Sequence, residues 1–327
     1  MCVRNCCKKG KRCYIMRKNL FTFGGCYRML WSIASLVLVG LGWTLTGAIM
    51  GDAPKKKIDP GVIQFLGAVC SSLFCLLFLD RTALAAVPAG VRLSAFLSYF
   101  FCGALNCLML YLMAHAMQKG PNGIVWAVIQ SAMIFPFLLG VICFGESPKP
   151  VRIAGLCAIL LSLILTAAGK DNAGKGKEWK IPAFIAFLLT GLVHILATLP
   201  SFFESSRALP PLFRILAAGA GVLVTSAGAI RIRRHKFSLG GNLRSKHLWI
   251  YTGLLQFFGL ISASLLQYPA MDTLARHGIG GASYPIMIAS CIVGFSLFSL
   301  LCLKERLTLL QYAALGCCIA GIPLICL

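Results

Sequence analysis

The sequence predicts an all-α membrane protein: ten transmembrane helices arranged as two inverted five-helix repeats. Three observations carry this. Hydrophobic residues make up 58% of the 327-residue chain and charged residues 12%, about half the charge of an ordinary soluble domain. The apolar residues gather into ten runs of about 20 residues, long enough to cross a bilayer as helices that satisfy their own backbone hydrogen bonds. The stretch from Gly120 to Gly169 is echoed, without a gap, from Ile279 to Leu327. An offset of 159 positions sets Glu146 on Glu305, Gly123 on Ala282, Ser131 on Ser290 and Gly155 on Ala314. An echo at about half the chain length marks two related units, and an odd number of spans per unit turns the second upside down relative to the first.

Residues 1–28 form a basic tail with Cys2, Cys6, Cys7, Cys13 and Cys26. It reads first as a flexible extension. The other readings are a juxtamembrane segment on anionic lipid with cysteines open to acylation and, more weakly, a metal site, since the paired spacing of zinc knuckles is missing. The first repeat, 29–169, holds spans at about 29–50, 61–79, 93–115, 122–144 and 151–169. A hydrophilic connector at 170–180 leads to the second repeat, 181–327, with spans at about 181–203, 211–230, 247–268, 281–303 and 307–327. The connections are short and rich in Gly, Pro and charge, as turns require, and none has room for a soluble domain.

A net charge of +22 would point to nucleic acid in a soluble chain. Here the basic residues sit in the tail and loops, so membrane lipid headgroups are the expected partner and nucleic acid is not. Lys and Arg divide almost evenly between the two faces, so charge alone does not orient the chain. Eleven of the sixteen cysteines lie in or beside apolar runs, where cysteine acts as a small hydrophobe. The segment GKDNAGKG at 169–176 approaches a phosphate-binding loop. It lacks the Ser or Thr that would hold a metal, and a strand before it, so it reads as a connector. No paired carboxylates and no nucleophile with a base are present, so no enzyme, metal or cofactor is expected.

The nine acidic residues (Asp52, Asp59, Asp80, Glu146, Asp171, Glu178, Glu204, Asp272 and Glu305) fall at predicted helix ends or in loops. Without a midplane carboxylate, facilitated diffusion or exchange is expected rather than strong proton coupling. Glu146 and Glu305 read as structural helix-end residues beside loop Lys and Arg. His194, near the middle of the sixth span, is the one strongly polar ionisable group at depth. Trp43, Asn106, Gln130, Ser131, His194, Gln256, Tyr284 and Ser290 are the candidate substrate-binding set, since small-molecule sites join apolar walls to a few converging polar groups. Singly, each is more often interhelical glue or core. Pro136 and Pro285 are placed to bend their helices and free carbonyls beside a cavity.

Gly120-Pro121 opening a span, Gln130-Ser131 within it, Pro136, Gly145-Glu146 at its end and Gly155 in the next span resemble the EamA-like branch of the drug/metabolite transporter superfamily. Lys304-Glu305-Arg306-Leu307-Thr308, Gln311 and Gly321 carry the resemblance in the second copy. Ala314 departs from it, where the family usually has Gly, and so does the tail. The resemblance implies ten helices in two inverted repeats, cytoplasmic termini, and a multi-pass transporter of small metabolites working by alternating access at a midplane cavity. The expected membrane is the plasma membrane (the inner membrane in a Gram-negative bacterium). The alternative is an accessory membrane subunit, or a membrane-embedded enzyme acting on lipid-linked substrates.

Overall fold

In the computed structural model, residues 4–120, 122–168, 178–233, 243–301 and 309–327 are described. They are helices and short connections, with no strand among them. Six helices are long and apolar enough to cross a membrane: Tyr27–Met50, Pro60–Phe78, Ala89–Lys119, Lys180–Phe202, Pro211–Ile232 and Lys246–Arg276. Four shorter apolar helices, Val128–Phe144, Pro150–Leu165, Gly280–Gly294 and Tyr312–Cys326, lie between and after them. Large apolar side chains point outward all round, among them Leu77, Ile142, Ile181, Ile232 and Leu309. Such a surface suits lipid and not water. The chain is a multi-pass membrane protein.

The elements are α1 (Arg4–Asp52), α2 (Pro60–Phe78), α3 (Arg81–Ala85), α4 (Ala89–Lys119), α5 (Asn122–Gln130), α6 (Ile134–Phe144) and α7 (Pro150–Ala168). After the connector come α8 (Lys180–Phe202), α9 (Glu204–Arg207), α10 (Pro211–Arg233), α11 (Lys246–Ile261), α12 (Tyr268–Arg276), α13 (Ser283–Leu301) and α14 (Leu309–Cys326). Local chemistry sets many of their ends. Asp59 caps α2 by accepting from the Gly61 N–H, with Pro60 at the first helical position. Gly145 closes α6 in the left-handed conformation at φ 64°, where a side chain would be strained.

The structure departs from the sequence reading in three places. The helix of the first span begins at Arg4, so the described part of the tail extends it instead of lying free. Lys and Arg, four of each over residues 4–28, are the commonest residues there with Cys, and both are good helix formers. The eighth span runs on to Arg276, well past 268, through a π-helical turn at Ser262–Gln267 with Pro269 just after it. Pro285 bends nothing: it sits in the first turn of α13, where its missing N–H has no helical partner to lose. Pro136 acts as expected. A 3₁₀ turn, Ser131–Met133, separates α5 from α6 just before it.

Lipid is as apolar as leucine, so helices in a membrane associate by close packing and by polar contacts. Gly103 in α4 and Gly221 in α10 show how close. A Cβ on Gly103 would lie 1.9 Å from the Ala218 carbonyl oxygen, and one on Gly221 would lie 1.9 Å from that of Phe100. α7 and α14 meet in the same way through Gly155 and Gly321. The buried apolar residues form two main layers. One holds Leu36, Val39, Phe137, Met271 and the first half of α13, on the side of the membrane that bears the C-terminus. The other holds Met50, Val62, Met113, Val125 and Leu248, towards the opposite side.

Candidate functional site

A cavity of about 260 Å³ lies where the two apolar layers meet. Five helices line it. α1 contributes Trp43 and Thr46; α4 contributes Asn106, Met109, Leu110 and Met113; α5 contributes Trp126, Ile129 and Gln130. Thr190, Val193 and His194 come from α8, and Tyr284 from α13. No Lys, Arg, Asp or Glu is among them.

Three rings form a row along one side. The His194 imidazole stacks on Tyr284 with centroids 3.9 Å apart and planes at 27°, and Trp43 lies 6.0 Å from Tyr284 on the other side. His194 is 5% exposed and its Nδ1 has no protein partner. The ring also lies against the backbone of Ala132. Pro136, four residues on, has no N–H to give that carbonyl, which is met instead by the Ile134 N–H and the His194 ring. Thr190 returns its hydroxyl to the Ala186 carbonyl at 2.7 Å. The side-chain amides of Asn106 and Gln130 form no hydrogen bond with a described residue, and both line the cavity.

Of the residues singled out from the sequence, Trp43, Asn106, Gln130, His194 and Tyr284 converge on this cavity. Three others do not. The Ser131 hydroxyl turns back to the Val128 carbonyl at 2.7 Å, and that of Ser290 to the Ile286 carbonyl at 2.8 Å. Gln256 packs over Gly67 of α2. Glu146 is also elsewhere, near the chain's C-terminus. Its carboxylate pairs with Arg152 at 3.2 Å, both side chains 2% exposed, and accepts from the Gly281 N–H at 3.1 Å. Arg152 in turn donates to the carbonyls of Ser147 and Ile325. Glu305 lies outside the described residues.

One buried pair was not visible in the sequence. Arg214 in α10 holds Asp272 in α12 through two hydrogen bonds, 3.0 and 2.7 Å, and donates to the Ser206 and Arg207 carbonyls. Its guanidinium covers the Tyr268 ring at 5.4 Å, and Tyr268 meets Tyr99 edge-on. Ending the eighth span at 268 put Asp272 in a loop. The available signal was Arg214 itself, four residues into an apolar run and in need of a partner. Both dry ion pairs lie on the face that carries the C-terminus, since Lys149 donates to the Leu327 carbonyl and Tyr27 and Arg28 share a cleft with Pro269 and Thr273. On the opposite face, Asp52 pairs with Lys56 at 3.0 Å with both side chains about two-fifths exposed, Tyr251 bonds Asp52, and Lys119 pairs with Glu178.

Residues 30–168 match the EamA-like transporter family, consistent with a member of the drug/metabolite transporter superfamily. No curated protein matches the chain. A solved structure titled only "Crystal structure of protein" superposes with a TM-score of 0.61, covering 89% of this chain and 96% of that one at 15% identity. At that identity it speaks for fold alone.

Proposed function

We propose that the chain, with its first half matching the EamA-like transporters, carries small metabolites across a membrane by alternating exposure of the cavity between α1, α4, α5, α8 and α13. The observation that carries this reading is the cavity itself. It sets a few polar side chains in mostly apolar walls, has no charged side chain among its lining residues, and joins helices from both halves of the chain.

The helix pairings support two inverted five-span repeats. α1 packs on α13, and moving five spans along the chain turns this into α8 on α5 and α6, which is also observed. α4 on α8 becomes α11 and α12 on α1. α2 on α10 and α7 on α14 map onto themselves. Such an exchange is what a two-fold axis in the membrane plane requires. The two faces are closed differently. Buried ion pairs, Glu146–Arg152 and Arg214–Asp272, tie the face with the C-terminus. Among the described residues, the other face shows apolar packing and partly exposed pairs. Separating buried charges is costly and exposed pairs contribute little, so on the described contacts the face away from the C-terminus is the one proposed to open first. With no carboxylate on the cavity wall, the mode is facilitated diffusion or exchange, and the membrane is the plasma membrane.

The test is a panel of small metabolites offered to the purified protein in liposomes, with and without a pH gradient. Gln130→Ala and His194→Ala should weaken transport affinity by ~1–3 kcal/mol while leaving the melting temperature in detergent nearly unchanged. Loss of stability with wild-type affinity would make both residues interhelical glue and remove the site. A pH-gradient dependence that disappears in His194→Ala would replace facilitated diffusion with proton coupling through His194.

A further inference from the structure

The geometry points to a specific ligand class for this cavity: a neutral, flat heterocycle whose edge carries both hydrogen-bond donors and acceptors. This rests on the reading of the cavity as the transport site. Three observations converge on it.

The first is charge. No ionisable carboxylate, ammonium or guanidinium lines the cavity. A carboxylate or phosphate ester would enter with nothing to neutralise it, and leaving a charge unpaired at membrane depth is costly. Phosphorylated and acidic metabolites are therefore excluded by the wall.

The second is the polar inventory. Asn106 and Gln130 each bring one acceptor and two donors without a partner among the described residues. His194 offers its ring beside them, held by the Ala132 backbone, with Nδ1 closed off from the cavity. Buried polar groups are normally satisfied, so the two carboxamides call for a ligand that pairs with them. An alkylammonium ion could rest on the rings, but it offers nothing to a carboxamide. A purely apolar ligand would leave both carboxamides unsatisfied. A ring amide or ring nitrogen edge answers both the donors and the acceptors.

The third is shape. Trp43, Tyr284 and His194 form a row of rings, and Trp126 stands close to Gly47, with 3.6 Å between its ring and a Cβ built there. Aromatic walls favour flat ligands by offset stacking and edge contacts. The volume of about 260 Å³ falls below the ~300–1,000 Å³ of sites for drug-sized molecules. One or two fused rings fit better than a nucleotide or a lipid.

The probes are adenine and uracil as neutral heterocycles, tetraethylammonium as a cation and benzoate as an anion. Binding of each radiolabelled probe is measured on the full-length chain in phosphatidylcholine nanodiscs. The expected result is saturable binding of adenine or uracil, weakened roughly tenfold or more by Gln130→Ala, and no competition by tetraethylammonium or benzoate. His194→Phe serves beside His194→Ala, because it keeps a ring on Tyr284 and removes both nitrogens. It should weaken binding while the melting temperature holds. Binding of tetraethylammonium or benzoate that these variants abolish, with no heterocycle bound, overturns the class and leaves the site standing. Heterocycle binding that none of the variants touches overturns the site itself. Absence of heterocycle binding altogether overturns the class.

Discussion

At the scale of single residues, the two dry ion pairs on the C-terminal face make the sharpest stability predictions. Asp272→Ala strands a buried guanidinium that now has two carboxylate bonds. The loss should be ~3–5 kcal/mol, seen as a marked fall in melting temperature in detergent. Replacing both partners by apolar residues, as in Arg214→Met with Asp272→Leu, should recover much of it, because no charge is left unpaired. If the double variant melts no higher than the single one, the pair sets the fold by geometry that apolar side chains do not reproduce. The sequence made part of this scale legible. The polarity of His194, Gln130 and Asn106 inside apolar runs marked them as unusual, and they share a cavity. Ser131 and Ser290 were equally polar on paper. Both satisfy their hydroxyls on their own helix, a choice that depends on rotamers and not on spacing.

At the scale of elements, close approach of helices decides assembly. Gly103→Ala puts a methyl 1.9 Å from a backbone oxygen of α10, where a rigid neighbour does not yield. Overpacking of this kind should cost ~1–3 kcal/mol in thermal stability. Gly90→Ala serves as the control, with open space around it in the same helix. Helix starts are a second element-scale feature. Asp80 caps α3 by accepting from the Thr82 and Ala83 N–H groups and the Thr82 hydroxyl. The Ala83 N–H contributes most to holding its carboxyl below the usual carboxylate range, with the Thr82 groups adding to it. A lowered folded-state value means the cap's contribution is full above the ordinary carboxylate range and fades as pH falls through the lowered value. The difference in melting temperature between wild type and Asp80→Ala should therefore be steady near neutrality and close only in strong acid. A gap that widens in acid would contradict the cap. The apolar runs matched six helices long enough to cross a membrane and four shorter apolar helices. The ends followed less well, because the π-helical turn before Pro269 carries the eighth span further than hydropathy alone suggests.

At the scale of the whole molecule, the question is which face looks outward. With cytoplasmic termini, Lys57, exposed between α1 and α2, lies on the outer face, and Ala85, exposed after α2, lies on the inner one. On a cysteine-free background, Lys57→Cys should react with an impermeant maleimide applied to whole cells and Ala85→Cys should not. The reverse pattern inverts the orientation. Charge left this undetermined because basic residues are spread over both faces. The proposed repeat rests in the sequence on the shared register of Glu146 and Glu305. What no offset could reveal is the Arg214–Asp272 pair, since its two partners come from different spans and meet only once the bundle is assembled.

The row of Trp43, Tyr284 and His194 gives the cavity an optical signature of its own. Light absorbed by Tyr284 passes readily to an indole 6.0 Å away, and an imidazole stacked on the phenol adds a route for quenching. Any motion that draws α1 from α13, or α8 from α13, changes the emission of Trp43 without a label. Among the five tryptophans of the chain, a variant retaining Trp43 alone would report any such separation of the helices in real time, as a change in its own fluorescence.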